Sequence, residues 1–288
     1  MRLMQTGLRA AGRGRPAGDR GFTLLELLVA IGVIGVLIAI LAPALRGTRA
    51  AALETVALSN VRSVGQLMGV YATENGRHPY RGGGEYPTGL DDMFPGGFEP
   101  EEGVAYYLWY PRGVLIGVTA HFEQAWLWPA IVAPLSDWPE HWETWVSPRK
   151  DAPLPSAGDF DLSGDNPIEG QISVRYSNAF VARPEFFSDR RPDGEAGMMR
   201  LLRPTRPSDV RFPSGKVMLW DDDLSYRTDR VIERIEGRLD ADTPMSFADG
   251  HGAVHNPGEA GEAYENPMTR DGASKLADTK DGVHGRDY

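Results

Sequence analysis

The chain has 288 residues and a formal charge of −10, which excludes the basic surface that nucleic-acid binding needs to displace counterions. It has no Cys, so no disulfide can hold it together. Its 34 Gly and 22 Pro beside 41% hydrophobic residues point to a loop-rich globular body, with room for one large or two small domains. Charge is unevenly spread. Arg2, Arg9, Arg13, Arg15 and Arg20 against Asp19 give residues 1–21 a charge of +4, leaving −14 for the rest. From Leu27 to Leu45 there follow 19 residues without a charge, enough to cross a bilayer. A basic flank before such a span stays in the cytoplasm, so the long acidic part is the exported one. One carboxylate, Glu26, stands at the head of the run. A charge inside a membrane helix costs about 2.5–3.5 kcal/mol on insertion scales, so it is expected to be functional or paired.

A secretory signal peptide has an apolar core of about 7–15 residues, shorter than this one. A plain single-pass anchor accounts for the length but not for Glu26. A third reading accounts for both. Gly21, then Phe22-Thr23-Leu24-Leu25-Glu26 and an apolar helix, resembles the leader of type IV prepilins and type II secretion pseudopilins. The resemblance implies that a prepilin peptidase cuts between Gly21 and Phe22 and methylates the new amino terminus. It also implies that Glu26 pairs with the amine of a neighbouring subunit during assembly, and that Pro43 stands where many pilins carry a helix-kinking Pro. Such a pair makes physical sense, because amine and carboxylate each cost free energy in hydrocarbon and offset one another together.

Beyond Pro43 the helical pattern continues. Leu53, Val56, Ala57, Val61, Val64, Leu67, Met68 and Tyr71 recur at spacings of three and four, a stripe suited to packing on a globular head. Glu74 to Tyr80, "ENGRHPY", supplies the Asn-Gly and Pro that end it. A helix from Phe22 to about Thr73 spans roughly 75–80 Å at 1.5 Å per residue. The expected organisation is a cleaved basic leader over 1–21, a transmembrane or filament-core helix over 22–45 and its amphipathic continuation over 46–74. A β-rich head over 75–255 follows, with a Trp-rich insertion near 104–150, and then a polar, mobile tail over 256–288. The expected fold class is α+β and type IV pilin-like, a long helix packed on an antiparallel sheet.

Six of the seven Trp lie between Trp109 and Trp145, and Trp138, Trp142 and Trp145 share a helical face after Asp137. They either fill the core of the insertion or line a groove for a partner protein or glycan, and core filling is the reading favoured. "DFDLSGD" places Asp159, Asp161, Ser163 and Asp165 at alternate positions, with Gly164 sixth, like the first half of a calcium-binding loop. Its twelfth position is Gly170, and the competing reading is a solvated acidic turn. Ser173 to Val181 and Lys216 to Asp223 read as strands, the latter ending in three Asp that suit a loop better than a second calcium site. Asp249-Gly250 inside "MSFADGHGAVH" is a hairpin signal. That stretch, with "WVSPRKD" and "VRYSNAF", resembles the closing and middle signatures of a planctomycete-type prepilin-like group. Ser147 stands where that group usually has Cys, and Leu239 where many members have His.

Catalytic signals are weak. Asp249, His251 and His255 form a metal-ligand set only if helical, and the hairpin signal argues for strand, where four residues span about 13 Å. His121-x-Glu123 and His141-x-Glu143 lack the Cys half of a zinc-deaminase motif. The resemblance thus implies a non-enzymatic, pilin-like structural subunit of a type II secretion or type IV pilus-like filament. It also implies a place in the inner membrane through Phe22–Leu45 with the head exported, and as partners the peptidase, other pilin-like subunits and the assembly machinery. The alternative is an exported binding or enzymatic domain that uses the same leader for delivery.

Overall fold

The structure, a computed structural model, describes residues 23–80, 107–109, 115–117, 121–122, 124–136, 138–152, 154, 172–194, 197–198, 200–227, 241–269 and 273–288. It divides into two compact units, residues 1–48 and 49–288. One helix, α1, runs Leu24–Asn75 and is continuous through Pro43. In the first unit its apolar side chains are exposed all round, from Leu24 at 85% to Leu45 at 62%. That is the pattern of a helix meant for lipid or for other helices rather than for its own head. This stretch has the length and composition to cross a bilayer.

In the second unit the same helix is amphipathic. Ala57, Val61, Val64, Met68 and Tyr71 are buried, and Leu53 and Leu67 are half-buried. Val56 departs from the expected stripe and faces solvent at 47% exposure. The helix stops where the sequence predicts: Gly76 takes a left-handed φ of 65°, open to glycine at little cost.

The head carries a small hairpin, β1 (Tyr107–Trp109) with β2 (Leu115–Gly117), then helix α2 (Gln124–Val132). Strands β3 (Val174–Tyr176), β4 (Val217–Asp221), β5 (Thr243–Phe247) and β6 (Gly252–His255) form one antiparallel sheet in sequential order. This is the α+β, pilin-like arrangement, with the amphipathic half of α1 on one sheet face. β3 is shorter than the sequence suggests, because the Ser177 hydroxyl accepts from Ala179 N and caps a 3-10 turn over Asn178–Phe180. β5 and β6 join through Asp249-Gly250, with Gly250 at φ 86°, as the hairpin signal indicates.

Helix and sheet approach most closely at Gly65. A Cβ there would lie 2.0 Å from Ser246 Oγ and 3.0 Å from Ser246 Cβ. Gly65→Val is therefore expected to destabilise the head by about 1–3 kcal/mol, read as a lower urea midpoint. The Ser246 hydroxyl is buried and has no hydrogen-bond partner among the described residues. Ser246→Ala should accordingly leave stability equal or higher. An unchanged midpoint for Gly65→Val would contradict this packing.

The Trp-rich insertion supplies core. Trp128, Trp142 and Trp145 are buried, Trp128 meets Trp145 edge-on at 5.4 Å, and Trp128 Nε1 donates to Val174 O at 2.8 Å. Trp138 lies half-buried on a single helical turn, Trp138–His141, that tightens to 3-10 over Trp142–Thr144. The expectation of a mobile tail is corrected. Ala260, Met268, Leu276, Ala277 and Val283 are buried, and so are Asn266, Asp278, Thr279 and Asp287. Their polar atoms find specific partners, which is how a polar stretch enters a protein interior. Asn178 and Asn266 both donate to Asp278 Oδ1, at 2.9 and 2.8 Å. Asp287 accepts from Val217 N at 2.8 Å and from Thr279 Oγ1 at 2.6 Å, and pairs with the fully buried Lys216 at 3.1 Å. Burial lowers the Lys216 pKa, and Asp287 opposes that shift.

Candidate functional site

The first described residues form a reciprocal cap. Thr23 precedes the helix, and its hydroxyl accepts from Glu26 N at 3.2 Å. Thr23 N and Thr23 Oγ1 donate back to Glu26 Oε2 at 2.9 and 3.0 Å. Thr followed three residues later by Glu is the capping-box pattern, which satisfies helix donors that otherwise lack partners. The arrangement fixes the Glu26 carboxylate at the helix start, with both hydrogen bonds on Oε2. An exposed anion, anchored at one oxygen and followed by an apolar helix, can receive a cation brought to it in the same apolar setting.

Gly21 and Phe22, the expected processing pair, lie outside the described residues, as do Asp159, Asp161, Ser163 and Asp165. Pro43 is inside α1. Among the described residues no group of three or more His, Asp or Glu is placed to hold a metal. Asp249 and His251 meet, with Nδ1 to Oδ1 at 2.6 Å, and the His251 ring stacks on Phe247 at 4.2 Å. His255 stacks on Tyr288 instead, at 4.4 Å, so the three side chains do not converge on one point.

The acidic turn after β4 is committed to protein partners. Asp221 Oδ2 accepts from Ser147 Oγ at 2.8 Å, and Asp221 Oδ1 accepts from the backbone N–H of Asp223 and Leu224. Lys150 ion-pairs with Asp223, whose Oδ2 also accepts from Ser173 Oγ at 2.7 Å. Burial pushes the Asp221 carboxyl up to about 7 against these donors. Sequence reasoning missed this network, which joins residues 74 positions apart. It also missed two buried imidazoles, His78 and His121, each held down to about 4 by burial. Among the described residues the His78 ring nitrogens have no partner, whereas His121 Nε2 lies 2.8 Å from Val181 O.

Residues 17–42 match the prokaryotic N-terminal methylation motif. Over 61 residues the chain is 38% identical to type II secretion system core protein G of Pectobacterium carotovorum subsp. carotovorum. It is 37% identical to the protein of the same name from Dickeya chrysanthemi, also over 61 residues. Each match takes 21% of this chain and spans only 39% and 40% of the respective relative. No solved structure matches the chain. The motif covers the capped helix start and most of the apolar run, and the long helix on an antiparallel sheet agrees with it. Over its N-terminal part the chain is thus similar to prepilin-like proteins and type II secretion pseudopilins, through the methylation motif and the long helix that carries it.

Proposed function

We propose that this protein is a structural subunit of a filament of the type II secretion or type IV pilus-like kind, assembled through its apolar helix. In this reading the basic leader stays in the cytoplasm, a prepilin peptidase cuts between Gly21 and Phe22 and methylates the new terminus, and the head is exported. Phe22–Leu45 holds the subunit in the inner membrane until assembly, where Glu26 receives the methylated amine of a neighbour and sets the register. The observation that carries this is the methylation motif over 17–42 lying across a helix that begins with an anchored carboxylate and exposes its large apolar side chains from Leu27 to Leu45.

The processing step is tested directly. A small residue before the scissile bond lets the peptidase approach the backbone, so Gly21→Val should leave an uncut protein that still carries its +4 leader. Intact mass of the membrane fraction reads the result. A mature-length product at the parent's level would overturn the assignment.

A further inference from the structure

On the sheet face turned away from α1, Arg175 stands at the middle of β3, directly opposite Trp220 of β4. Residues opposite one another in an antiparallel pair lie side by side on one face. The guanidinium carbon is 5.7 Å from the Trp220 ring centre and 4.8 Å from that of Trp126, which comes from α2. Both distances are within cation–π range. Trp220 is held in place by its own Nε1, which donates to Asp222 Oδ1 at 2.9 Å.

The guanidinium has no ion pair or hydrogen bond among the described residues, and its Nε is buried without a partner. Asp278 is near enough for Arg175 to bias its ionisation, but its oxygens already accept from Asn178, Asn266 and Ser274 N. A buried N–H left unpaired is destabilising, so an acceptor brought by a ligand is a favourable partner.

We infer that Arg175, flanked by Trp126 and Trp220, is a binding site for a ligand carboxylate. The planar guanidinium offers two parallel donors that match the two oxygens of a carboxylate. A single cation balances a single negative charge, and the net charge of −10 disfavours a phosphate dianion. The indole rings shield the fork from water, which strengthens a charge-assisted bond. Partly buried Trp126 offers the open part of its ring to the body that carries the acid. A sugar acid and an acidic amino acid share this chemistry.

The full chain in detergent micelles is titrated at constant ionic strength with glucuronate, N-acetylglutamate and sulfate, following tryptophan fluorescence. In parallel, the side-chain Nε–H resonance of Arg175 is followed by NMR in the unsubstituted protein. A saturable response to at least one carboxylate, with displacement of that resonance, is expected, and the stronger of the two probes identifies the kind of body bound. Arg175→Gln should weaken binding at least about tenfold, the loss expected for a hydrogen bond to a charged group. Arg175→Lys, which keeps the charge and loses the fork, should fall between. The inference is overturned if neither carboxylate moves the Nε–H resonance, if sulfate binds as tightly, or if Arg175→Gln binds as the parent does. Filament assembly is a separate measurement, so failure here leaves that reading untouched.

Discussion

A Glu26→Leu chain is expected to insert and be processed like the parent, and to be missing from filaments. Removing the carboxylate removes a group that costs free energy in hydrocarbon, so insertion is equal or better. The amine of a neighbouring Phe22 is then buried without its partner, a loss of about 3–5 kcal/mol and thus about two to four orders of magnitude in incorporation. The substitution also deletes the contacts from Thr23 N and Oγ1, so a second variant separates the two effects. Glu26→Gln keeps an acceptor for the cap and discards the charge. It should fail in assembly as Glu26→Leu does, while Glu26→Asp retains part of the function. Comparing subunit in sheared filaments with subunit in membranes, by immunoblot and mass, reads all three. Parent-level Glu26→Leu in filaments would favour a displayed domain that only borrows the leader.

The head is expected to lose stability between pH 6.5 and 4. His78 and His121 titrate at about 4 when folded and near 6.5 when unfolded. Folded-state values below the unfolded ones mean that the unfolded chain takes up protons first as pH falls. Each ring therefore contributes stability that is complete above pH 6.5 and lost towards pH 4, about 3 kcal/mol apiece. Asp209 works mildly against this at His78. Asp221 acts in the opposite sense. Its folded value, about 7, lies above the usual 3.8, so the folded state gains as pH falls through that window. The net loss is then about 2–3 kcal/mol. Urea unfolding at several pH values checks it. His78→Leu should flatten the profile and Asp221→Asn should steepen it. The same slope in both variants would show that these groups do not govern the acid limb.

The parts legible in the sequence were those with local periodicity or strong punctuation. The helix followed from an apolar run, a three-four stripe and Asn75-Gly76, and its observed span, Leu24–Asn75, lies within two residues of expectation at each end. The hairpin followed from Asp249-Gly250. Illegible were the contacts that join distant polar residues. Asp278 gathers Asn178 from 100 positions away, and no local pattern announces that a stretch of Asn, Asp, Thr and Lys will be buried. Val56 broke the stripe because its place on the helix turns it to solvent, although its spacing fits. At the candidate site, Glu26 stood out by its cost in the membrane, whereas the role of Thr23 as its anchor emerges only from the geometry.

The burial of the C-terminal stretch also sets an order of events during synthesis. Lys216 is enclosed against Thr279 and Asp287, and Val217 N waits for a carboxylate 70 positions later in the chain. Until that carboxylate has been made, the β4 strand faces an uncompensated cation and an open side. At roughly 5–20 residues per second of elongation, the 70 intervening positions take several seconds, during which the sheet is incomplete. Fast closure by the last thirty or so residues is then a requirement of the topology itself.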